Sequence, residues 1–121
     1  MEKPPRLDLE ERTFQFAQSI RTFVKRLPRT ISNTEDVRQL VRASGSVAAN
    51  WIEAHESLSK KDFLLRAKIC RKEAKESQLF LRLVDTGSDQ ETTAVCDRLA
   101  AEARELMLIF SAIVTKALGS L

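Results

Sequence analysis

Apolar side chains recur every three to four residues along almost the whole chain, the spacing that lines one face of an α-helix. Leu9, Phe16, Ile20, Phe23 and Leu27 make the first row, opened by Asp8 with Glu11 three residues on and stopped by Pro28. That pattern predicts a helix over residues 9–27. Residues 28–33 read as a short polar connection, after which Thr34 with Glu35 and Asp36 reads as a second N-cap, its acids placed where the helix dipole favours them. A helix over 35–55 follows, with Val37, Leu40, Val41, Ser44, Val47, Ala48, Trp51 and Ile52 on one stripe. Ser59 caps a third predicted helix, 60–85, whose seam (Phe63, Ala67, Cys70, Ala74, Ser77, Leu81, Val84) alternates spacings of four and three. Such a seam belongs to helices packed at a shallow angle. Leu65, Ile69, Phe80 and Leu83 make a second apolar row beside it. The turn Asp85-Thr86-Gly87 ends that helix, and Ser88 with Glu91 opens the fourth, 89–118. It carries Val95, Leu99, Leu106, Ile109, Phe110, Ile113, Val114 and Ala117, with Gly119 as C-cap.

Four helices joined by short loops must lie antiparallel to their sequence neighbours, so the fold expected is an all-α, up-down-up-down four-helix bundle, one domain over 1–121. The apolar rows of the third and fourth helices are wider than one internal seam requires, which points to a broad core or to contact with another subunit. Composition agrees: 43% of residues are apolar and 31% charged, with 3 Gly and 3 Pro, too few turn formers for a small β-barrel or sandwich. No apolar run approaches the roughly 20 residues of a membrane span. Met1-Glu2-Lys3-Pro4-Pro5 lacks the basic and apolar regions of a secretory signal. Cys70 and Cys96 fall inside helical patterns, which suits buried thiols in a reducing cytoplasm. A cytoplasmic protein without a membrane segment is the expectation.

Polar residues interrupt the second and third helices in register. Arg42, Ser46, Asn50 and Glu53 stand at spacings of four, four and three on one helix line, and Glu73 and Glu76 lie one turn apart on the next helix. A half-buried network among them is expected, fixing helix register or a subunit contact rather than binding a ligand. Nothing among them makes a nucleophile or an acid–base pair. Gly45, in the middle of this helix, lowers helix propensity and leaves room for another backbone to approach.

The same stretches carry a resemblance. Arg-x-x-x-Ser-Val-x-x-Asn-x-Ile-Glu-Ala at 42–54 (with Trp51 between Asn50 and Ile52), Ser-x-x-Asp-Phe at 59–63 and Ile-Cys-x-Lys-Glu-Ala-x-Glu-Ser-x-x-Phe-Leu at 69–81 are similar to the bacterial four helix bundle proteins, also called 23S ribosomal RNA intervening-sequence proteins. The likeness runs from Phe16 to Val114, with Phe80 where many members have Trp. It implies a left-handed bundle assembled as a homopentamer, with no established activity for most members. A related branch, the accessory variability determinant of diversity-generating retroelements, is a basic pentamer that binds nucleic acid and its reverse transcriptase.

Charge sharpens the expectation. The net charge is +3, and the basic excess falls on residues 1–29 and 60–85. Arg21, Lys25 and Arg26 cluster late in the first helix, and Lys61, Lys68, Arg71, Lys72 and Lys75 crowd the solvent side of the third. These eight are the candidate nucleic-acid contacts, to RNA or DNA through phosphates and without base readout, since no helix-turn-helix spacing, Gly-rich loop or interleaved aromatic accompanies them. The alternative is an adaptor whose basic face docks an acidic protein. Glu53/Glu56, Glu73/Glu76 and Glu102/Glu105 have the spacing of carboxylate metal helices, but the single histidine, His55, is two residues from Glu53 and out of phase, so neither metal nor cofactor is expected. His55 marks the exposed end of the second helix, Trp51 anchors a core or interface, and Cys96 is the more accessible thiol. A non-enzymatic, oligomeric helical scaffold is the reading that results.

Overall fold

The computed structural model describes residues 8–120; residues 1–7 and 121 of the expected 1–121 domain lie outside the described residues. The described residues form four helices, α1 (Leu9–Val24), α2 (Ile31–His55), α3 (Lys60–Leu83) and α4 (Gln90–Gly119). Each packs against two others, α1 on α2 and α4, α3 on α2 and α4. The bundle is therefore a closed square with α1 and α3 on one diagonal.

Four side chains set the starts of the helices by accepting the free N–H groups of the first turn. Asp8 Oδ1 takes Glu11 N at 2.8 Å, and Ser59 Oγ takes Asp62 N at 3.1 Å. The other two starts differ from expectation. Thr30, not Thr34, caps α2 by accepting from Asn33 N, so the helix begins four residues early and takes in part of the supposed connection. Thr34 instead donates its hydroxyl back to Thr30 O within the first turn. Asp89, not Ser88, caps α4, its Oδ2 accepting from both Thr92 N at 2.9 Å and the Thr92 hydroxyl at 2.6 Å. The accepted hydrogen bonds hold its carboxyl below the ordinary Asp pKa.

Helix ends also move. The first helix stops at Val24 rather than residue 27, because Arg26 N and Leu27 N turn back onto Phe23 O and Val24 O. This tightened turn brings Leu27 into the core ahead of Pro28, which disfavours helical backbone before it. The third helix ends at Leu83, with Val84 extended. Gly119 is the last residue of α4, and Ser120 is its C-cap.

The core runs the length of the square: Phe16, Ile20 and Phe23 from α1, Leu40, Val47 and Trp51 from α2, Cys70, Ala74 and Leu81 from α3, Leu99, Leu106 and Phe110 from α4. Trp51 sits edge-on to Phe110 at 5.5 Å and Phe63 at 5.9 Å. The expected seam of α3 faces inward, with Phe63 half-buried and the rest buried. The second row is split: Leu65 and Leu83 are exposed, Ile69 is half-buried and Phe80 packs half-buried against the core, while Leu64, outside both rows, packs with Ala67 and Val114. The helix turns Leu64 toward α4 because α4 lies to that side of the seam.

One buried polar residue ties the two loops at one end together. Asn33, 2% exposed, donates from Nδ2 to Pro28 O and to Asp85 O, each at 2.9 Å, and accepts from Asp85 N at 2.9 Å through Oδ1. Gly87 completes the junction with φ +72°, and a methyl there would lie 3.2 Å from Pro28 Cγ. At that φ a Cβ is strained in any case.

Candidate functional site

The two sets of polar residues singled out above meet different fates. The line on α2 and the pair on α3 come together across the α2–α3 groove. Glu73, 5% exposed, places Oε2 3.5 Å from Arg42 Nη1 and 3.3 Å from Ser46 Oγ. Arg42 Nη2 reaches Glu76 Oε1 at 3.5 Å, and Glu76 Oε2 lies 3.7 Å from Lys72 Nζ. Asn50 Nδ2 donates to Ser46 O and Ser46 Oγ, each at 2.9 Å. The network has a member that the spacing argument omitted: Arg66 donates to Asn50 Oδ1 at 2.9 Å and sits 3.9 Å from Glu53. Its position seven residues before Glu73 on the same helix line is the signal that would have found it. Glu73 Oε1 is buried and has no hydrogen-bond partner among the described residues.

The eight basic candidates are not brought onto one surface. Arg21, Lys25 and Arg26 belong to the α1 corner, diagonally across the bundle from α3. Two of them are engaged. Arg21 folds along its own helix, Nη1 donating to Ala17 O at 2.9 Å and Nη2 reaching Val41 O at 3.4 Å. Its guanidinium is what fills the space over Gly45, with Nη2 3.0 Å from where a Cβ would stand. The glycine thus accommodates an arginine tip, not the expected neighbouring backbone. Arg26 lies 3.7 Å from Asp89 and 3.4 Å from Glu91, clasping the end of α1 to the start of α4. Lys25 caps the end of α1 and is exposed.

On α3 the picture is reversed. The helix carries eight basic and three acidic residues. Lys61, Lys68, Lys75 and Arg82 repeat at every seventh position and are all exposed, a column with a step of about 10.5 Å along the helix axis. No ion pair to any of these four forms among the described residues. Beside them, a groove of about 720 Å³ between α3 and α4 is lined by Arg71, Lys75 and Arg82, by the Lys72–Glu76 pair, by Gln78 and Leu79, and by Met107 and Ser111 from α4. Arg82, one heptad beyond Lys75, extends the basic candidates along the helix.

Family membership follows from sequence comparison. The family model for the 23S rRNA-intervening sequence protein matches residues 6–110. The chain belongs to the 23S rRNA-intervening sequence protein family. A crystal structure of a protein of unknown function from the S23 ribosomal protein family of Bacteroides thetaiotaomicron superposes with a TM-score of 0.71 at 22% identity, covering 87% of this chain and 96% of that one. At that identity the likeness concerns the fold. No curated protein matches the chain.

Acidic side chains of this 23S rRNA-intervening sequence family member are drawn into ion pairs. Among the described residues no three His, Cys, Asp or Glu side chains gather to hold a metal ion, and Glu73, Glu76 and Glu102 are each engaged by an arginine. Both cysteines are buried, Cys96 being slightly the more accessible at 6% exposed against 0% for Cys70; the Cys96 thiol donates to Leu81 O at 3.1 Å. The carbonyl of α3 lies within its reach because the start of α4 packs on the end of α3. Burial pushes the Cys70 thiol up to about 12 and raises Cys96 as well, so both stay protonated and unreactive at neutral pH. His55 is exposed at the end of α2 with its ring 4.8 Å from that of Trp51. Among the described residues no helix is long and apolar enough to cross a membrane.

Proposed function

We propose that the protein is a non-enzymatic, self-assembling cytoplasmic scaffold that binds RNA or DNA through phosphates, and that α3 rather than α1 carries the contact. The observation behind this reading is the unpaired column Lys61, Lys68, Lys75 and Arg82 with Arg71 beside it. Cations without carboxylate partners release counterions when they meet phosphates, whereas Arg21 and Arg26 must first leave their partners. The column runs beside a groove between two packed helices rather than on a lone projecting helix, so no element is free to enter a duplex groove and read bases. The homopentamer that the family resemblance implies multiplies the column five-fold around one assembly and raises affinity without new chemistry. The Arg42–Glu73–Asn50–Arg66 seam holds α2 in register with α3 and so keeps the column straight.

Fluorescence anisotropy against a structured RNA and a mixed-sequence duplex DNA, at low and physiological salt, tests the reading. Binding should fall steeply with salt for both, and Lys68→Glu, Lys75→Glu and Arg82→Glu together should abolish it while Lys25→Glu leaves it almost unchanged. Salt-independent binding, or equal losses from the α1 and α3 variants, would refute it. Sedimentation equilibrium of the same protein reads the assembly state.

A further inference from the structure

α3 carries a second seam, on its solvent side. Leu65, Ile69, Lys72, Glu76, Leu79 and Leu83 follow one another at spacings of four, three, four, three and four, the alternation of a helix that packs against another helix. Leu65, Leu79 and Leu83 are 54%, 46% and 56% exposed. Single exposed leucines carry no information, but these occupy both ends of one continuous six-position seam. Its two polar members, Lys72 and Glu76, sit together in the middle and pair with each other at 3.7 Å. A polar layer inside an apolar seam is a known means of fixing register between paired helices.

The flanks of the seam decide what can lie on it. On one side Arg66, Glu73 and Phe80 turn toward α2, where Arg66 and Glu73 are held by Asn50 and Arg42. On the other side stands the column Lys61, Lys68, Lys75 and Arg82. Residues flanking such a seam select the partner by charge. A second copy of α3 laid antiparallel on the first would match Leu65 with Leu83, Ile69 with Leu79 and Lys72 with Glu76, yet it would set the cation column against its own image. No other helix of the chain relieves this, because no two carboxylates anywhere in the sequence stand seven residues apart. The column therefore opposes an antiparallel copy of α3 on this seam and suits a helix with acids at heptad spacing.

We propose that the outer seam of α3 docks an amphipathic helix of a different protein, with leucine-like residues on its seam and Glu or Asp along the flank facing Lys61, Lys68, Lys75 and Arg82. This goes beyond nucleic-acid binding and does not rest on it. The test uses two synthetic three-heptad peptides with identical Leu and Ile seams, one with Glu and one with Lys at every flanking position, titrated against the full chain by calorimetry or anisotropy. Repulsion keeps each peptide from pairing with itself. The acidic peptide should bind at least about tenfold tighter than the basic one, given four flanking pairs worth a few tenths of a kcal/mol each. Leu65→Asp with Leu79→Asp should abolish binding without loss of helix signal, since both positions are exposed. Charge reversal of the four column residues should invert the preference.

Equal affinity for the two peptides, or binding of neither, overturns the proposal even if RNA binds to the same column. It is also overturned if Leu79→Asp changes the oligomeric state, because a second copy then occupies the seam.

Discussion

Replacing Asn33 by Ala should cost more than any exposed change in the molecule. The side chain supplies three hydrogen bonds at 2.9 Å to Pro28 O, Asp85 O and Asp85 N, and the alanine methyl supplies none. Each such bond contributes about 1 kcal/mol net, and because the junction is only part-buried water can reach the freed backbone groups, so about 3 kcal/mol is the expected loss. With an unfolding entropy near 2.1 cal/mol/K per residue, ~0.25 kcal/mol/K for a chain of 121 residues, the melting temperature should fall by about 12 °C. Thermal unfolding followed by circular dichroism at 222 nm reads this directly. Asn33→Asp is the sharper control. A carboxylate can still accept from Asp85 N but cannot donate to the two carbonyls, and only its protonated form recovers one donor. The pKa of that Asp is raised by folding, so its contribution is present below the ordinary carboxylate range and lost as pH rises through the raised value. The deficit of the variant relative to wild type should therefore shrink at acid pH. A melting temperature within about 3 °C of wild type for Asn33→Ala would refute the argument that this residue locks the two loops.

The two glycines should respond with opposite signs. Gly45→Ala, which meets only the movable tip of Arg21, should stabilise α2 by about 0.5–1 kcal/mol in urea unfolding. Gly87→Ala, at φ +72° and against Pro28, should destabilise by about 1 kcal/mol or more. Neither Cys70 nor Cys96 should react with a chromogenic disulfide at neutral pH in the folded protein, and both should react at once in denaturant. Asp89, whose folded pKa lies below the ordinary value, stabilises above about pH 4 and loses that contribution as pH falls through its depressed value. Asp89→Asn should accordingly flatten the acid limb of the stability profile measured by urea titration.

Periodicity was enough to read the four helices and the antiparallel order, because each amphipathic face is long and its burial decides the fold. The errors fall where a single local hydrogen bond decides. Thr30 and Thr34 are equivalent as N-cap candidates until Asn33 is drawn into the junction with Asp85, a partner 52 residues away. Leu64 and Leu65 are neighbours of the same chemistry, and only the side on which α4 packs determines which is buried. The polar seam was legible on α2 from its four-residue spacing, whereas Arg66 was missed because it stands two helical turns from Glu73, beyond the one-turn spacing that linked Glu73 to Glu76, and was read with the basic residues of α3. Charge counting found the basic residues but not their grouping. That α1 and α3 are diagonal, and that Arg21 and Arg26 are already bonded, are properties of the assembled square.

The square also has a weak side. All packing but one joins consecutive helices; the exception is α1 against α4. Across that edge Arg12 holds Glu102 in a two-pronged pair, Nε and Nη2 each at 2.8 Å from a carboxylate oxygen, and Arg26 grips Asp89 and Glu91. α1 is also the shortest helix, 16 residues against 30 for α4. The α2–α3–α4 unit can thus form largely from sequential hairpins, and closing the edge is the step that joins the more distant parts of the chain, Arg12 meeting Glu102 across 90 residues. In reverse, the first helix is the part that swings out most readily, opening as a unit while the other three remain packed. Amide protons of α1 should exchange ahead of those of α2 and α3, and added salt, by screening the two arginine clasps, should quicken them selectively.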